Sequence, residues 1–139
     1  MKAIAMLAAT LVTALAAFAA DPENVDVTPA MRAAEEWLAL VDRGAYGESW
    51  DRAGVLAQQQ QTRVKWELQL EAVRGKLGGV MRRKLRSATY MRDPPKAPPG
   101  EYVVVQYDTA FENRPLTVET VSPVRQKDGS WKVSGYFVR

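Results

Sequence analysis

The sequence predicts an α+β protein in which N-terminal helices pack on a curved four-stranded antiparallel sheet. Three observations carry this. Between Pro29 and Leu77 apolar residues recur at steps of three and four, the period of one helix face. After Gly78-Gly79 the pattern changes to the alternation of half-buried strands. The alternating runs are divided by turn-forming residues, among them Asp128-Gly129, which suits hairpins. Helices first and strands second is the segregated order of an α+β fold.

Residues 1–19 are set apart from that fold. Met1-Lys2 gives a positive start, Ala3 to Phe18 is apolar apart from Thr10 and Thr13, and Ala17-Phe18-Ala19 closes the run with a small-x-small pattern. This is the order of a cleavable secretory signal, with cleavage expected after Ala19 and the bond after Ala20 as the fallback. The apolar run is shorter than the roughly 20 residues a membrane span needs, and acidic Asp21 and Glu23 follow it, so removal is expected rather than anchoring. Residues 20–28 read as a flexible polar leader, and 29–139 as a single domain. The expected destination is the periplasm, with the outside medium as the second choice.

The first helix is expected to begin with Thr28 as N-cap and Pro29 at the first helical position, where its missing N–H costs nothing. Ala30, Ala33, Ala34, Trp37, Leu38 and Val41 then share a face, and Gly44 ends the helix. Tyr46 and Trp50 lie four apart in a short second helix over residues 45–53, which Gly54 breaks. Residues 55–61 read as a helical turn or a loop. Thr62 then precedes a long helix with Trp66, Leu70, Val73 and Leu77 on its apolar face, giving three helices in all.

Residues 80–90 form the first predicted strand, followed by a loop over 93–100 whose four prolines exclude it from a ladder. Residues 101–111, 116–125 and 130–139 are the other three strands. The last is read with Trp131, Val133 and Phe137 toward the helices and Lys132, Ser134 and Tyr136 away from them, so Trp37 and Trp131 should meet in the core. All four tryptophans fall on apolar faces, which favours core packing over a ligand cavity.

Composition narrows the chemistry. The chain has 139 residues, 19 Lys and Arg against 16 Asp and Glu, a net charge of +3, and neither His nor Cys. Loss of Lys2 with the signal leaves a mildly basic chain, which by itself indicates no partner. Without His or Cys, zinc, copper, haem and iron–sulfur sites lose their ordinary ligands, so no cofactor and no metal is expected. Ser-His-Asp and Cys-His nucleophile systems are excluded, and a disulfide framework with them. Any catalysis has to rest on Asp, Glu, Tyr, Lys or Arg.

The segments Glu36 to Asp42, Tyr46, Ser49-Trp50, Ser87 to Tyr90, Gly100 to Val104, Glu119 to Val121 and Trp131 to Phe137 resemble a family of small exported bacterial proteins known as domain of unknown function 4019. The likeness runs from about Met31 to the C-terminus. More remotely the chain is similar to the nuclear transport factor 2 superfamily, which implies a cystatin-like cone with helices capping a bent sheet. That superfamily holds ketosteroid isomerases and scytalone dehydratase, which work with Asp, Tyr and His in the cone, beside many non-enzymatic binding modules.

Two groups of residues stand out. Asp108 and Glu119 lie on neighbouring strands, and in one concavity with Tyr102, Gln106, Tyr107 or Tyr136 a desolvated carboxylate would act as a base. The plainer reading pairs each carboxylate with a cross-strand cation or with solvent. Arg82-Arg83-Lys84 with Arg86, after Arg74 and Lys76, is the conspicuous basic patch. On a strand it reads as a solvated or aggregation-resistant edge in preference to a nucleic-acid site. The function expected is a non-enzymatic module that binds a small ligand or an envelope protein, with Tyr102, Gln106, Tyr107 and Tyr136 as candidate contacts. A cofactor-free lyase or isomerase with Asp108 or Glu119 as base is the alternative, and a module that dimerises through its sheet is the third reading.

Overall fold

The computed structural model describes residues 24–139. The signal segment and residues 20–23 of the leader lie outside these described residues. The order is α1 (Thr28–Asp42), α2 (Tyr46–Asp51), α3 (Val55–Gln60), α4 (Arg63–Leu77), then β1 (Val80–Arg92), β2 (Glu101–Phe111), β3 (Arg114–Arg125) and β4 (Trp131–Val138). The strands form one antiparallel sheet in the order β1-β2-β3-β4, so the expected α+β meander is present. There are four described helices rather than three, because residues 55–60 close into a helix of their own. No helix among the described residues is long and apolar enough to cross a membrane.

The start of α1 is one residue earlier than its sequence signal. Thr28 is already helical, Val27 holds the N-cap position without a side-chain cap, and the Thr28 N–H donates to Asp26 Oδ1 at 2.9 Å. Ala30, Ala34, Trp37, Leu38 and Val41 are buried as expected, and Leu40 joins them. Gly44 supplies the positive φ of 77° that ends this helix, with its N–H on the Val41 carbonyl. On α4, Thr62 caps the helix through Oγ1, and the buried face is Trp66, Leu70, Arg74 and Leu77. Val73 is instead 40% exposed. Arg74 can go inside because Asp42 meets it there at 3.0 Å and the Phe111 ring lies 4.8 Å from its guanidinium carbon.

Strand β4 departs most from simple alternation. Ser122 pairs with Gly135 and Pro123 with Val133, so Ser134 is an extra residue against β3. Such a bulge resets the alternation of side chains. Trp131 and Val133 face the helices as expected, but beyond the bulge Tyr136 turns inward and Phe137 outward, where it is 53% exposed. The expected inward Phe137 and outward Tyr136 are therefore exchanged.

The core lies between the helices and the inward residues Val103, Val105, Tyr107, Val121 and Val133. Trp37 is central to it, with its ring edge-on to Trp66 at 6.1 Å and tilted on Tyr136 at 5.2 Å. Such pairs contribute about 0.5–1.5 kcal/mol beyond the area they bury. Both buried indoles are satisfied by Ser49, Trp37 through its carbonyl and Trp66 through its hydroxyl, each at 3.0 Å. Trp131 packs against the rim of this cluster and lines the same cleft as Trp37.

Candidate functional site

Two features of the fold hold chemistry: a buried polar network beneath the sheet, and a groove beside its last strand. The network is centred on Arg83. Register places Glu119 opposite Tyr107 on the inward face of β3, where it is 0% exposed. Arg83 donates to it from Nε at 2.7 Å and from Nη2 at 3.1 Å. Thr109 Oγ1 donates at 2.5 Å and Tyr136 Oη at 2.6 Å, so the Glu119 oxygens accept four hydrogen bonds. The other side of Arg83 grips Asp42 at the end of α1, at 2.7 and 3.0 Å, and Arg74 meets the same carboxylate. Two guanidiniums thus face two carboxylates, and the cluster is neutral.

Burial would raise the Asp42 pKa, but the hydrogen bonds and charge of Arg83, and then of Arg74, outweigh it and hold the carboxyl below its usual range. Burial also works against the charge on Arg83, yet Asp42 and Glu119 raise its pKa above the ordinary arginine value. Burial, then the charge of Glu119 and the bond to it, pushes the Tyr136 phenol well up. Tyr107 is pushed up to about 12 by burial, with Glu35 adding to the effect. Its hydroxyl is buried and has no partner, as are Nε and Nη1 of Arg74.

The expected concavity holding both Asp108 and Glu119 does not form. Asp108 pairs with Val118 on the outward face, half-exposed, and meets Arg86 at 3.3 Å. Adjacent ladder positions put the two carboxylates on opposite faces of the sheet. Tyr102 and Gln106 are also outward. Tyr102 Oη donates to the Pro98 carbonyl at 2.7 Å, which ties the proline loop down, and Gln106 bonds Thr120 at 3.3 Å. Tyr107 and Tyr136 are inward. The basic run is divided in the same way, since Arg82 and Lys84 line an outward cleft while Arg83 enters the network.

Sequence reasoning passed over Arg83 as the partner of Glu119, and Asp42 and Arg74 as the rest of the network. A signal was present for Arg83, because alternation that sends Arg82 and Lys84 outward sends Arg83 in. For Asp42 there was none, since the contact joins residues 41 apart.

The groove runs between α4 and β4. It has a volume of about 580 Å³ and is lined by Trp66, Leu70 and Val73 on one wall and by Tyr136, Phe137 and Val138 on the other. Gln61 and Ser134 also line it, and Gln61 Oε1 and Ser134 Oγ are buried without a hydrogen-bond partner. No charged side chain lines it. At its closed end Gly54 donates its N–H to the Val133 carbonyl at 2.8 Å. A Cβ at Gly54 would collide with Ser134 Oγ, so a larger residue there would have to displace that hydroxyl.

A family model described as protein of unknown function (DUF4019) matches residues 33–136. The matched span includes Asp42, Arg74, Arg83, Glu119 and Tyr136, and the groove up to Tyr136. No curated protein matches the chain.

Proposed function

Starting from the chain's place in the DUF4019 family of proteins of unknown function, to which it belongs, we propose that it is an exported, non-enzymatic binding module whose ligand occupies the groove between α4 and β4. The observation that carries this reading is a mostly apolar concavity of about 580 Å³ whose lining includes Gln61 and Ser134, each with a buried oxygen that has no hydrogen-bond partner. A mostly apolar cleft with a few placed polar atoms is the usual form of a ligand site. An unpaired buried acceptor costs about 1–3 kcal/mol, so a ligand that donates hydrogen bonds there recovers part of that cost. The ligand class is thus apolar, uncharged and hydrogen-bond donating.

The carboxylates support binding over acid–base chemistry. A general base must reach a substrate proton. Every oxygen of Glu119 is held by Arg83, Thr109 or Tyr136 inside the core, and Asp108 stands half-exposed beside Arg86.

N-Phenyl-1-naphthylamine, an uncharged apolar dye with one N–H donor, tests the reading. Its fluorescence should rise on adding the protein, and Val73→Asp should abolish the rise while leaving thermal unfolding near that of the parent. A dye signal that is absent, or that Val73→Asp leaves unchanged, would overturn it.

A further inference from the structure

We infer that the groove takes an extended peptide segment, which adds to the sheet as a short fifth strand beside β4; the inference rests on the groove being the binding site. The phase of the β4 ladder carries it. Val118 and Arg139 exchange both backbone hydrogen bonds, at 2.9 and 3.1 Å. Antiparallel pairs alternate between residues that bond each other and residues that do not. Counting back from Arg139, Phe137 and Gly135 bond across to β3, whereas Val138 and Tyr136 turn their N–H and C=O groups to the other side. Strand β4 ends the sheet, so that side is its open edge, and Tyr136 and Val138 line the groove.

The same edge already pairs with backbone where the groove closes. Gly54 N–H donates to the Val133 carbonyl, after which residues 55–60 form α3 and make their backbone hydrogen bonds within that helix. Exposed edges are usually guarded by lysine or proline. Residues 133–138 contain neither. An incoming segment would donate N–H groups to the Tyr136 and Val138 carbonyls and accept from their N–H groups, the arrangement of strand addition.

Chemistry of the walls selects the occupant. An uncharged lining disfavours a charged segment, since burying an unpaired charge is costly. Alternate side chains of the added strand would face Trp66, Leu70 and Val73 of α4 and should be apolar. Gln61 Oε1 and Ser134 Oγ stand ready for one further donor each.

A displayed library of short random peptides, selected on the protein and eluted with N-phenyl-1-naphthylamine, supplies the probe. Selected peptides should be uncharged with apolar residues at alternate positions. N-methylation of the amides facing β4 should weaken binding by about tenfold or more per amide, and methylation of the intervening amides by far less. Val138→Pro removes an edge N–H that β3 does not use, a position where a strand tolerates proline. It should weaken the peptide by about tenfold with unchanged near-UV circular dichroism. If the dye binds but no peptide competes with it, or if affinity ignores both N-methylation and Val138→Pro, strand addition is wrong and the groove reading stands. If neither dye nor peptide binds, both readings fall.

Discussion

Arg83 holds Glu119 in a two-pronged ion pair, Nε to Oε1 at 2.7 Å and Nη2 to Oε2 at 3.1 Å, where the glutamate has no exposed surface at all. Removing one member of such a pair leaves a charge in a medium that cannot solvate it. Arg83→Met should therefore destabilise the protein by about 3–5 kcal/mol in urea unfolding. The double variant Arg83→Met, Glu119→Met should recover much of that loss, because Asp42 keeps Arg74 and reaches solvent. A double variant no more stable than Arg83→Met would show that the network is not organised around this pair.

Asp42 sets the acid limb of stability. Its folded pKa lies below the ordinary 3.8. Its stabilising contribution is accordingly complete above the unfolded value, near 4, and is lost as pH falls through the lower folded value. The midpoint of urea unfolding should drop steadily below about pH 4. Asp42→Asn should begin less stable at pH 7 and show a shallower drop. An equally steep acid limb in the variant would place the titration elsewhere.

Tyr107 and Tyr136 share a face and differ in what their hydroxyls meet. Tyr136 Oη donates to a buried carboxylate, and a hydrogen bond to a charged group contributes about 1.5–3 kcal/mol, so Tyr136→Phe should cost that much. Tyr107 Oη is buried with no partner, so Tyr107→Phe should be neutral or stabilising by up to about 1 kcal/mol. Both phenols have raised folded pKa values, and the neutral forms favour the fold. Stability should hold below about pH 10 and decline above it, as the unfolded chain ionises first. Thermal melts of the two variants at pH 7 and pH 11 separate these effects.

The parts of the fold legible in the sequence are those that depend on local pattern. The helix faces through Trp37 and Trp66, the proline loop and the Asp128-Gly129 turn each follow from residues within a few positions of one another. Arg74 in place of Val73 was not legible, because what draws a charge inside is Asp42 on another helix. Glu119 and Asp108 were both recognisable as strand carboxylates, and alternation alone separates them, but their surroundings depend on which face the helices cover. The groove was hidden for a similar reason: its walls come from α3, α4 and β4, which are far apart in sequence.

Ser134 decides which of its two aromatic neighbours enters the core. With the bulge, Tyr136 reaches Glu119 and Trp37 while Phe137 stays outside. Inserting one alanine between Gly135 and Tyr136 would shift the pairing beyond it by one residue, and such a shift exchanges the faces of every later side chain. Phe137 would then point at the Glu119 carboxylate with no hydroxyl to offer, and Tyr136 would leave the ring of Trp37. We expect the insertion to cost at least about 3 kcal/mol and to change the near-UV aromatic signal. Ser134→Ala keeps the residue count and removes a hydroxyl that has no partner, so it should stay within about 1 kcal/mol of the parent. Its near-UV spectrum should also be unchanged. If the insertion melted like the parent, the register beyond residue 134 would have to be set by the packing of Tyr136 on Trp37 rather than by the residue count of the strand.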